Sequence, residues 1–287
     1  MQLGVTFPQL EIGTDPAVLR DYAQAAQDLG YRYLLAYDHV LGADPTNRPG
    51  WTRYSHRDQF HEPFVLFGYL AAVAPKLDLV TGVIVLPQRQ TTLVAKQAAQ
   101  VDILTSGRFR LGVGIGWNAV EYEALGMDFS SRARRFEEQI AVMRLLWTQP
   151  VVTFHGKFHH ITEAGLNPLP VQRPIPIWIG GMAEPVLRRV ARLGDGWLPQ
   201  GRITDEQRDR IERLRRYIAE AGRSPDAVGI DARLDLRAVP EEEWRDEVER
   251  WREAGATHLS VNTMSAGLAT PRDHIRAVER FMQAVGP

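Results

Sequence analysis

The sequence predicts an α/β protein, a (β/α)8 barrel of the TIM type with a small hairpin excursion and a long loop after the second strand. Residues 77–117 read as a strand, a helix and a second strand, which is the βαβ unit of parallel sheets. The same alternation recurs along the chain and accounts for eight strands. At 287 residues the chain is close to the roughly 250 that such a barrel uses, so we expect a single domain over residues 1–287.

The βαβ unit carries clear local signals. Residues 78–86 form a nearly unbroken aliphatic run, typical of a strand buried on both faces, and Pro87 ends it because proline cannot donate to a β-ladder. We expect the hydroxyls of Thr91 and Thr92 to cap the following helix, whose apolar residues share one face. Gly107 ends that helix, and residues 109–113 form the next buried strand.

The remaining elements follow in order along the chain. Proline, capping side chains and glycine mark the helix ends, and short aliphatic or β-branched runs mark the strands. The predicted strands cover residues 3–7, 33–37, 78–86, 109–113, 176–179, 196–198, 227–233 and 258–262. The predicted helices cover residues 16–29, 64–74, 91–104, 119–125, 132–147, 183–193, 205–221, 241–254 and 271–285.

Two stretches fall outside this repeat. Residues 151–154 and 158–161 predict a small hairpin, which a proline-rich connector over residues 166–174 follows. The irregular segment 42–62 is far longer than the usual loop of about 4–6 residues, so we expect a function in it. Its Trp51, Tyr54 and His61 are candidates for a lid over a substrate pocket, and a packed surface loop is the equally plausible alternative.

Composition excludes several classes of protein. The absence of cysteine excludes disulfides, thiolate catalysis and cysteine-ligated metals. A net charge of −1 provides no basic field for nucleic acid or an anionic membrane, and no apolar run approaches the roughly 20 residues of a membrane span. The amino terminus enters a strand without a basic region or a cleavage site. We therefore expect a cytoplasmic protein whose partner is a small molecule.

Ionisable groups are rare at the predicted carboxyl ends of the strands, where barrels of this kind collect their active sites. Asp38 and His39 directly follow the second strand. An imidazole can give or take a proton near neutral pH, and an adjacent carboxylate can orient or charge it. These two residues are our candidates for catalysis, with a helix-capping aspartate beside a packed histidine as the alternative.

Glycines mark two further strand ends. The segment 180–182, Gly-Gly-Met, precedes a helix start, where free amides and the helix dipole favour a phosphate, with a plain tight turn as the alternative. Glycines at positions 112, 114 and 116 clear one face of the fourth strand for a flat ring or for a large neighbour such as Trp178. The histidines at 155, 159 and 160 lack a carboxylate at ligand spacing, so we expect exposed polar side chains and no metal site.

Five segments together resemble a known family. They are LAYDHVLG (35–42), TGVIVLPQRQ (81–90), AKQAAQVDILTSGRFRLGVGIGWNAVEYEALG (95–126), RPIPIWIGG (173–181) and LGDGW (193–197). As a set they resemble the bacterial luciferase-like superfamily, and in particular its actinobacterial branch that uses the deazaflavin coenzyme F420. The resemblance spans residues 1 to about 200 and is specific as a set, whereas no single segment is specific.

The resemblance implies how a coenzyme is held. The tricyclic ring would lie in the barrel mouth against the end of the third strand, where such enzymes carry a non-proline cis peptide, here within Gly82-Val83-Ile84. His39, beside Asp38, would be the proton donor or acceptor near the face of hydride transfer. The implied coenzyme contacts are Gly82, Val83, Ile84, Gly116, Trp117, Asn118, Gly180, Gly181 and Met182, of which the last three would bind the phosphate through backbone amides.

The resemblance further implies an oxidoreductase that transfers a hydride between coenzyme F420 and a small organic substrate. An FMN-dependent luciferase-like monooxygenase is the alternative, because both rings and both phosphates fit the same cradle, and a non-catalytic flavin-binding barrel is a more remote one. The lack of lysine-rich or metal-binding strand ends argues against a lyase or isomerase of phosphorylated substrates. A homodimer is also implied, whereas the sequence names neither the substrate nor the direction of hydride transfer.

Overall fold

Parallel strands close into a barrel surrounded by helices in the computed structural model, which describes residues 1–286. The strands are β1 (Gln2–Thr6), β2 (Tyr33–Ala36), β3 (Asp78–Thr81), β4 (Ile84–Val85), β5 (Phe109–Gly114), β6 (Val152–His155), β7 (His160–Ala164), β8 (Ile177–Gly180), β9 (Gly196–Leu198), β10 (Gly229–Asp235) and β11 (His258–Asn262). The helices are α1 (Pro16–Asp28), α2 (Pro63–Val73), α3 (Thr91–Leu104), α4 (Ala119–Ala124), α5 (Arg132–Thr148), α6 (Glu184–Leu193), α7 (Asp205–Glu220), α8 (Trp244–Glu253) and α9 (Pro271–Val285). Across these helices, none combines the length and the apolar character needed to span a lipid bilayer.

The strand order confirms the predicted (β/α)8 barrel. Around the barrel the order is β1-β2-β3-β5-β8-β9-β10-β11, and β11 pairs back with β1. Every one of these pairs is parallel, and β4 continues the position of β3 by pairing with β5. The carboxyl ends of all eight barrel positions therefore meet at one face, which we call the mouth.

Two predicted strands differ from the observed ones. The aliphatic run 78–86 is not one strand, because the ladder breaks at Gly82 and Val83, which are joined by a cis peptide bond, and a 3-10 turn over Leu86–Gln88 follows β4. The seventh barrel strand covers Gly229–Asp235 instead of residues 227–233, because a 3-10 turn beginning at Pro225 occupies residues 225–227. Its carboxyl end, which lies at the mouth, is thus two residues further along.

Helix starts follow the expected caps with one exception. The Asp15 side chain accepts a hydrogen bond from the first turn of α1, and Thr204 does the same for α7. Thr91, by contrast, is the first helical residue of α3 and does not cap it. Its hydroxyl instead accepts a hydrogen bond from Gln139 Nε2 at 2.9 Å, so the prediction that Thr91 or Thr92 caps this helix was wrong.

The predicted hairpin outside the barrel is present, formed by the antiparallel strands β6 and β7. Its second strand covers His160–Ala164 instead of residues 158–161, because a turn closed by Gly156 N–H and the carbonyl oxygen of His159 occupies residues 156–159. His159, which we expected to be exposed, is mostly buried instead. Its Nδ1 lies 2.8 Å from Glu138 Oε1 on α5, and its Nε2 lies 2.6 Å from Thr91 Oγ1 on α3. These two contacts fasten the hairpin to the helical shell.

Below the mouth, the barrel interior holds a polar layer. The Arg110 guanidinium lies 4.5 Å from the centre of the Tyr33 ring and 4.7 Å from that of Trp178, and its Nη1 lies 3.3 Å from Asp231 Oδ2. The Tyr33 hydroxyl donates to the same carboxylate at 2.5 Å. Burial, with repulsion by Arg110, lowers the pKa of His258 to about 3, so this neighbouring ring is neutral. The layer closes the bottom of the cavity described next.

Candidate active site

A cavity with two lobes opens at the mouth of the barrel. The first, which we call the glycine lobe, has a volume of about 270 Å³ and is walled by the ends of β5, β8 and β9. The second, the arginine lobe, has a volume of about 560 Å³ and lies toward the ends of β2, β10 and β11. The two lobes share a border formed by Gly82, Val83, Gly116, Trp117, Gln200 and Arg233.

Val83 is the centre of the wall of the glycine lobe. A Cβ atom added at Gly114 would lie 2.7 Å from Val83 Cγ2, and one at Gly180 would lie 2.8 Å from Val83 Cγ1. At Gly114 the neighbour that occupies the space is thus Val83 and not Trp178, the large neighbour that we considered. Trp178 packs instead against Gly196, where an added Cβ would lie 2.0 Å from the indole.

Free backbone amides line the glycine lobe where β8 meets α6. Gly181 has a φ of 126°, which only glycine adopts readily, and the next two residues lead directly into the helix. Within residues 1–286 we find no acceptor for the N–H groups of Gly181, Met182 and Ala183, and no side chain caps α6. Three free donors at a helix N-terminus form a site suited to a phosphate. They include Gly181 and Met182 of the predicted set, with Ala183 in place of Gly180, which lies within β8.

His39 lies in the arginine lobe against a carboxylate that the sequence did not reveal. Its Nδ1 lies 3.3 Å from both carboxylate oxygens of Glu121, which is buried at the start of α4. Glu121 also accepts hydrogen bonds from the backbone N–H groups of Val40, at 2.7 Å, and Leu41, at 3.4 Å. The carboxylate fixes the orientation of the ring and leaves Nε2 without a partner among residues 1–286.

Asp38 points away from His39 and into a separate ion pair. Its Oδ1 accepts from Arg89 Nη2 at 2.7 Å, and its Oδ2 accepts from the backbone N–H of Val85 at 3.1 Å. Arg89 also contacts Glu62 at 3.2 Å. Burial lowers the pKa of Arg89, but attraction to Asp38 and Glu62 outweighs it, so the net shift is upward. Asp38 therefore joins β2, β4 and α2. The residue that orients His39 is Glu121.

Two of the three predicted lid residues contact side chains that line the cavity. The Tyr54 ring lies 5.1 Å from the His39 ring, and the Trp51 ring lies 5.5 Å from that of Trp117. Trp51 Nε1 donates to the carbonyl oxygen of Tyr54 at 3.0 Å, so the two residues form one unit. The long loop thus packs over the border between the lobes.

His61, the third predicted lid residue, lies away from the cavity. Its Nε2 is 3.0 Å from the carbonyl oxygen of Gly13, and its ring packs edge-on against Phe7 at 6.1 Å. Its backbone N–H donates to Gln9 Oε1 at 2.6 Å. These contacts attach the end of the long loop to the segment after β1.

The predicted coenzyme contacts divide into those that reach the cavity and those that do not. Trp117 borders both lobes, and Met182 borders the glycine lobe. Asn118 is the N-cap of α4, where its Oδ1 accepts from Val120 N–H at 3.1 Å, and it lines neither lobe. Ile84 is completely buried within β4 and likewise supports the wall from behind.

The arginine lobe contains a second feature that sequence reasoning missed. On β10 the charged residues Asp231, Arg233 and Asp235 alternate with buried apolar residues. In a strand that is covered by helices on its outer side, charges at every second position must face the barrel interior. The pattern D-x-R-x-D was thus the available signal, and it places Arg233 on the border between the two lobes.

This arrangement can hold a flat ring system and can give a proton to a bound substrate or take one from it. The glycine lobe offers an apolar wall with a phosphate-binding end, and the adjoining lobe offers a fixed imidazole with one free nitrogen. Among residues 1–286 no cluster of three or more histidine, aspartate or glutamate side chains is placed to hold a metal ion. The site therefore fits a phosphorylated aromatic coenzyme beside a smaller substrate.

Comparisons with known sequences agree on one family. A family model described as luciferase-like monooxygenase matches residues 3–277. An uncharacterized protein of Mycobacterium tuberculosis is 34% identical over 291 residues, covering 97% of this chain and 98% of the relative. An FMNH2-dependent dimethylsulfone monooxygenase of Pseudomonas putida is 29% identical over 227 residues, covering 78% of this chain and 59% of that enzyme.

A solved structure gives a comparable fold. The F420-dependent secondary alcohol dehydrogenase in complex with an F420–acetone adduct superimposes with a TM-score of 0.79, covering 100% of this chain and 99% of that one. The two chains are 18% identical, so the likeness establishes the shared barrel.

Proposed function

The chain belongs to the luciferase-like monooxygenase family, and from that premise we propose that it is a coenzyme F420-dependent oxidoreductase. It would transfer a hydride between the deazaflavin and a small organic substrate. The observation that carries the proposal is the imidazole of His39, which Glu121 orients beside a cavity large enough for a substrate. Hydride transfer to or from an oxygen-bearing carbon requires a proton to move as well, and His39 is placed to give or take it.

The residues of the glycine lobe fit the coenzyme. Val83 would support one face of its ring, and Trp117 would border it. The free amides of Gly181, Met182 and Ala183 would bind its phosphate. When bound, a deazaflavin supplies a carbon that donates or accepts hydride.

The residues of the chain would orient the His39 ring, limit the access of water and exchange a proton with the substrate. Glu121 holds Nδ1 of His39, so the free Nε2 is the atom that exchanges the proton with the substrate. Tyr54 and Trp51 would cover the site and limit the access of water. Asp38 would act structurally, through Arg89 and the backbone of β4.

An FMN-dependent monooxygenase is the second candidate. The relative from Pseudomonas putida, whose name specifies FMNH2, is 29% identical over 78% of this chain. The glycine lobe would accept the phosphate of either coenzyme through the same amides. A deazaflavin reacts slowly with oxygen, whereas reduced FMN reacts quickly, so the identity of the coenzyme separates the two candidates.

The test is a pair of fluorescence titrations of the coenzyme-free protein, one with F420 and one with FMN. We expect F420 to bind with a Kd of about 1–10 µM or tighter. A Kd of about 1–10 µM corresponds to a binding free energy of roughly −7 to −8 kcal/mol. FMN should bind at least about tenfold more weakly, a difference of roughly 1.4 kcal/mol. A preference for FMN would move the assignment to the monooxygenase, and binding of neither coenzyme would overturn both candidates.

A further inference from the structure

Arg233 brings a positive charge into the middle of the mouth. Its side chain is half-buried, borders both lobes and donates a hydrogen bond to the Tyr37 hydroxyl, with the guanidinium carbon 5.2 Å from the centre of that ring. Across residues 1–286 no carboxylate oxygen lies within 4.0 Å of its guanidinium nitrogens. Burial lowers the pKa of Arg233, but its contact with Tyr37 and the attraction of Asp235 outweigh that effect, so the net shift is upward. Because no carboxylate pairs with it directly, its remaining N–H groups are open to an anionic ligand.

The carboxylates that border the two lobes are paired directly with other arginines. Each of them lies within salt-bridge distance of an arginine other than Arg233, and Arg202 of the β9–α7 connection is paired with a glutamate. Asp235 attracts Arg233 at longer range and raises its pKa, but it does not pair with it directly. The pairs are Asp38–Arg89, Asp231–Arg110, Asp235–Arg237 and Arg202–Glu243.

Arg53 adds a second positive charge at the rim. It lies on the long loop, and its guanidinium carbon is 4.9 Å from the centre of the Trp117 ring. Within residues 1–286 it has no carboxylate partner at salt-bridge distance either. Since Arg53 and Arg233 border the same lobe, that lobe contains two arginines that have no direct carboxylate partner in the described part of the chain.

We propose that Arg233, assisted by Arg53, binds a carboxylate of the substrate, so that the enzyme acts on small organic acids. This inference rests on the proposed function and names its substrate class. A guanidinium offers parallel N–H donors that match a carboxylate in a bidentate pair. His39 borders the same lobe of about 560 Å³, so both residues face the space in which a substrate would lie, while the phosphate of the coenzyme would have its own donors at Gly181.

The test measures the binding of carboxylates against neutral look-alikes. Benzoate, lactate and propionate are titrated calorimetrically beside benzamide, lactamide and propionamide, each with and without saturating F420. We expect at least one carboxylate to bind wild-type protein more tightly than its amide. Arg233→Met should weaken that carboxylate roughly 30-fold or more, because truncating one partner of a partly buried charge pair is costly. The same variant should change amide binding by less than about threefold.

Two variants and one stability measurement serve as controls. Arg57→Met removes an exposed arginine of the same long loop that lines neither lobe, and it should change carboxylate binding by less than about threefold. Arg233→Lys keeps the charge but loses the bidentate geometry, so its affinity should lie between wild type and Arg233→Met. The ligand-free Arg233→Met protein should still unfold in a single cooperative thermal transition, so that its loss of carboxylate binding is not a loss of structure.

The remaining outcomes contradict the inference in distinct ways. Equal binding of carboxylates and amides by wild type, or equal carboxylate binding by wild type and Arg233→Met, overturns the acid assignment. If Arg233→Met loses F420 affinity as strongly as carboxylate affinity, the anion recognised is that of the coenzyme and the inference fails. A wild-type protein that binds carboxylates but neither coenzyme would instead refute the proposed function and leave the anion site standing.

Discussion

At the scale of single residues, the site depends on the pairing of His39 with Glu121. The buried carboxylate accepts from two loop amides as well as contacting the ring, so it both shapes the chain after β2 and orients the imidazole. A carboxylate that is held on several sides cannot rotate with the histidine, so the ring keeps one orientation with Nδ1 bound to Glu121. Glu121 is therefore a positioning residue, and His39 is the residue that contacts substrate.

We expect His39→Ala to lower kcat by roughly 10²–10⁴, the usual contribution of a general acid or base, and to leave the Kd of F420 within about threefold of wild type. Glu121→Gln should lower kcat by roughly 10–100-fold, because an amide holds the ring less well. Steady-state kinetics and fluorescence titration measure these two quantities.

The matched control for this pair is Glu123→Gln, an exposed glutamate two positions further along α4, which should behave as wild type. Unchanged turnover in His39→Ala would remove His39 from the mechanism. A Glu121→Gln enzyme that loses F420 binding as well as turnover would show a structural role for Glu121 instead.

Sequence reasoning found the histidine but not its partner, and the reason is physical. Asp38 and His39 are adjacent in the chain, yet in extended backbone adjacent side chains point in different directions, here to Arg89 and to Glu121. Positions 39 and 121 lie 82 residues apart, and no spacing rule connects them. Arg233 is different, because its alternation with Asp231 and Asp235 was visible in the sequence.

At the scale of elements, the break between β3 and β4 organises the cavity. Val83 leaves the ladder there, and its side chain occupies space that the glycines at 114 and 180 vacate on the next two strands. The aliphatic pattern of residues 78–86 could not reveal this break, since interrupted and continuous buried strands have the same composition. Only the family resemblance placed a cis bond near it, and the structure places that bond between Gly82 and Val83.

Gly114→Ala tests this packing directly. The added methyl group would lie 2.7 Å from Val83 Cγ2, so we expect a loss of roughly 1–3 kcal/mol in the free energy of unfolding, as is usual for overpacking. Adding Val83→Ala should restore most of that loss, because contacting residues couple. Urea unfolding monitored by fluorescence or circular dichroism provides the midpoint and slope for each variant.

The control for this cycle is Gly68→Ala within α2, where an added Cβ meets nothing within 4 Å. It should be neutral or stabilising by up to about 1 kcal/mol, because alanine is the better helix former. If Gly114→Ala proves as harmless as Gly68→Ala, or if Val83→Ala does not rescue it, then Val83 does not fill the space against β5.

At the scale of the whole molecule, the side of the barrel formed by α2 and α3 exposes large apolar side chains to solvent. The α2 sequence PFVLFGYLAAV contains no charged residue, yet Val65 in its first turn is 73% exposed. Leu93, at the corresponding position of the neighbouring helix α3, is 53% exposed. A helix that is apolar on all sides is normally covered on all sides, so this surface favours the homodimer that the family resemblance implies.

We therefore expect the protein to run as a dimer in size-exclusion chromatography with light scattering, and Val65→Asp to convert it to a monomer. A carboxylate at this face would be desolvated in the dimer, whereas in the monomer it lies in the first turn of α2, where a negative charge is favourable. Val151→Asp replaces a valine that is 57% exposed beside the hairpin, and it should leave the dimer intact. A wild-type monomer would refute the dimer, and a Val65→Asp dimer would place the interface elsewhere. Because Val65 and Leu93 begin the helices that leave the mouth, dissociation should also alter substrate affinity if the interface supports the long loop.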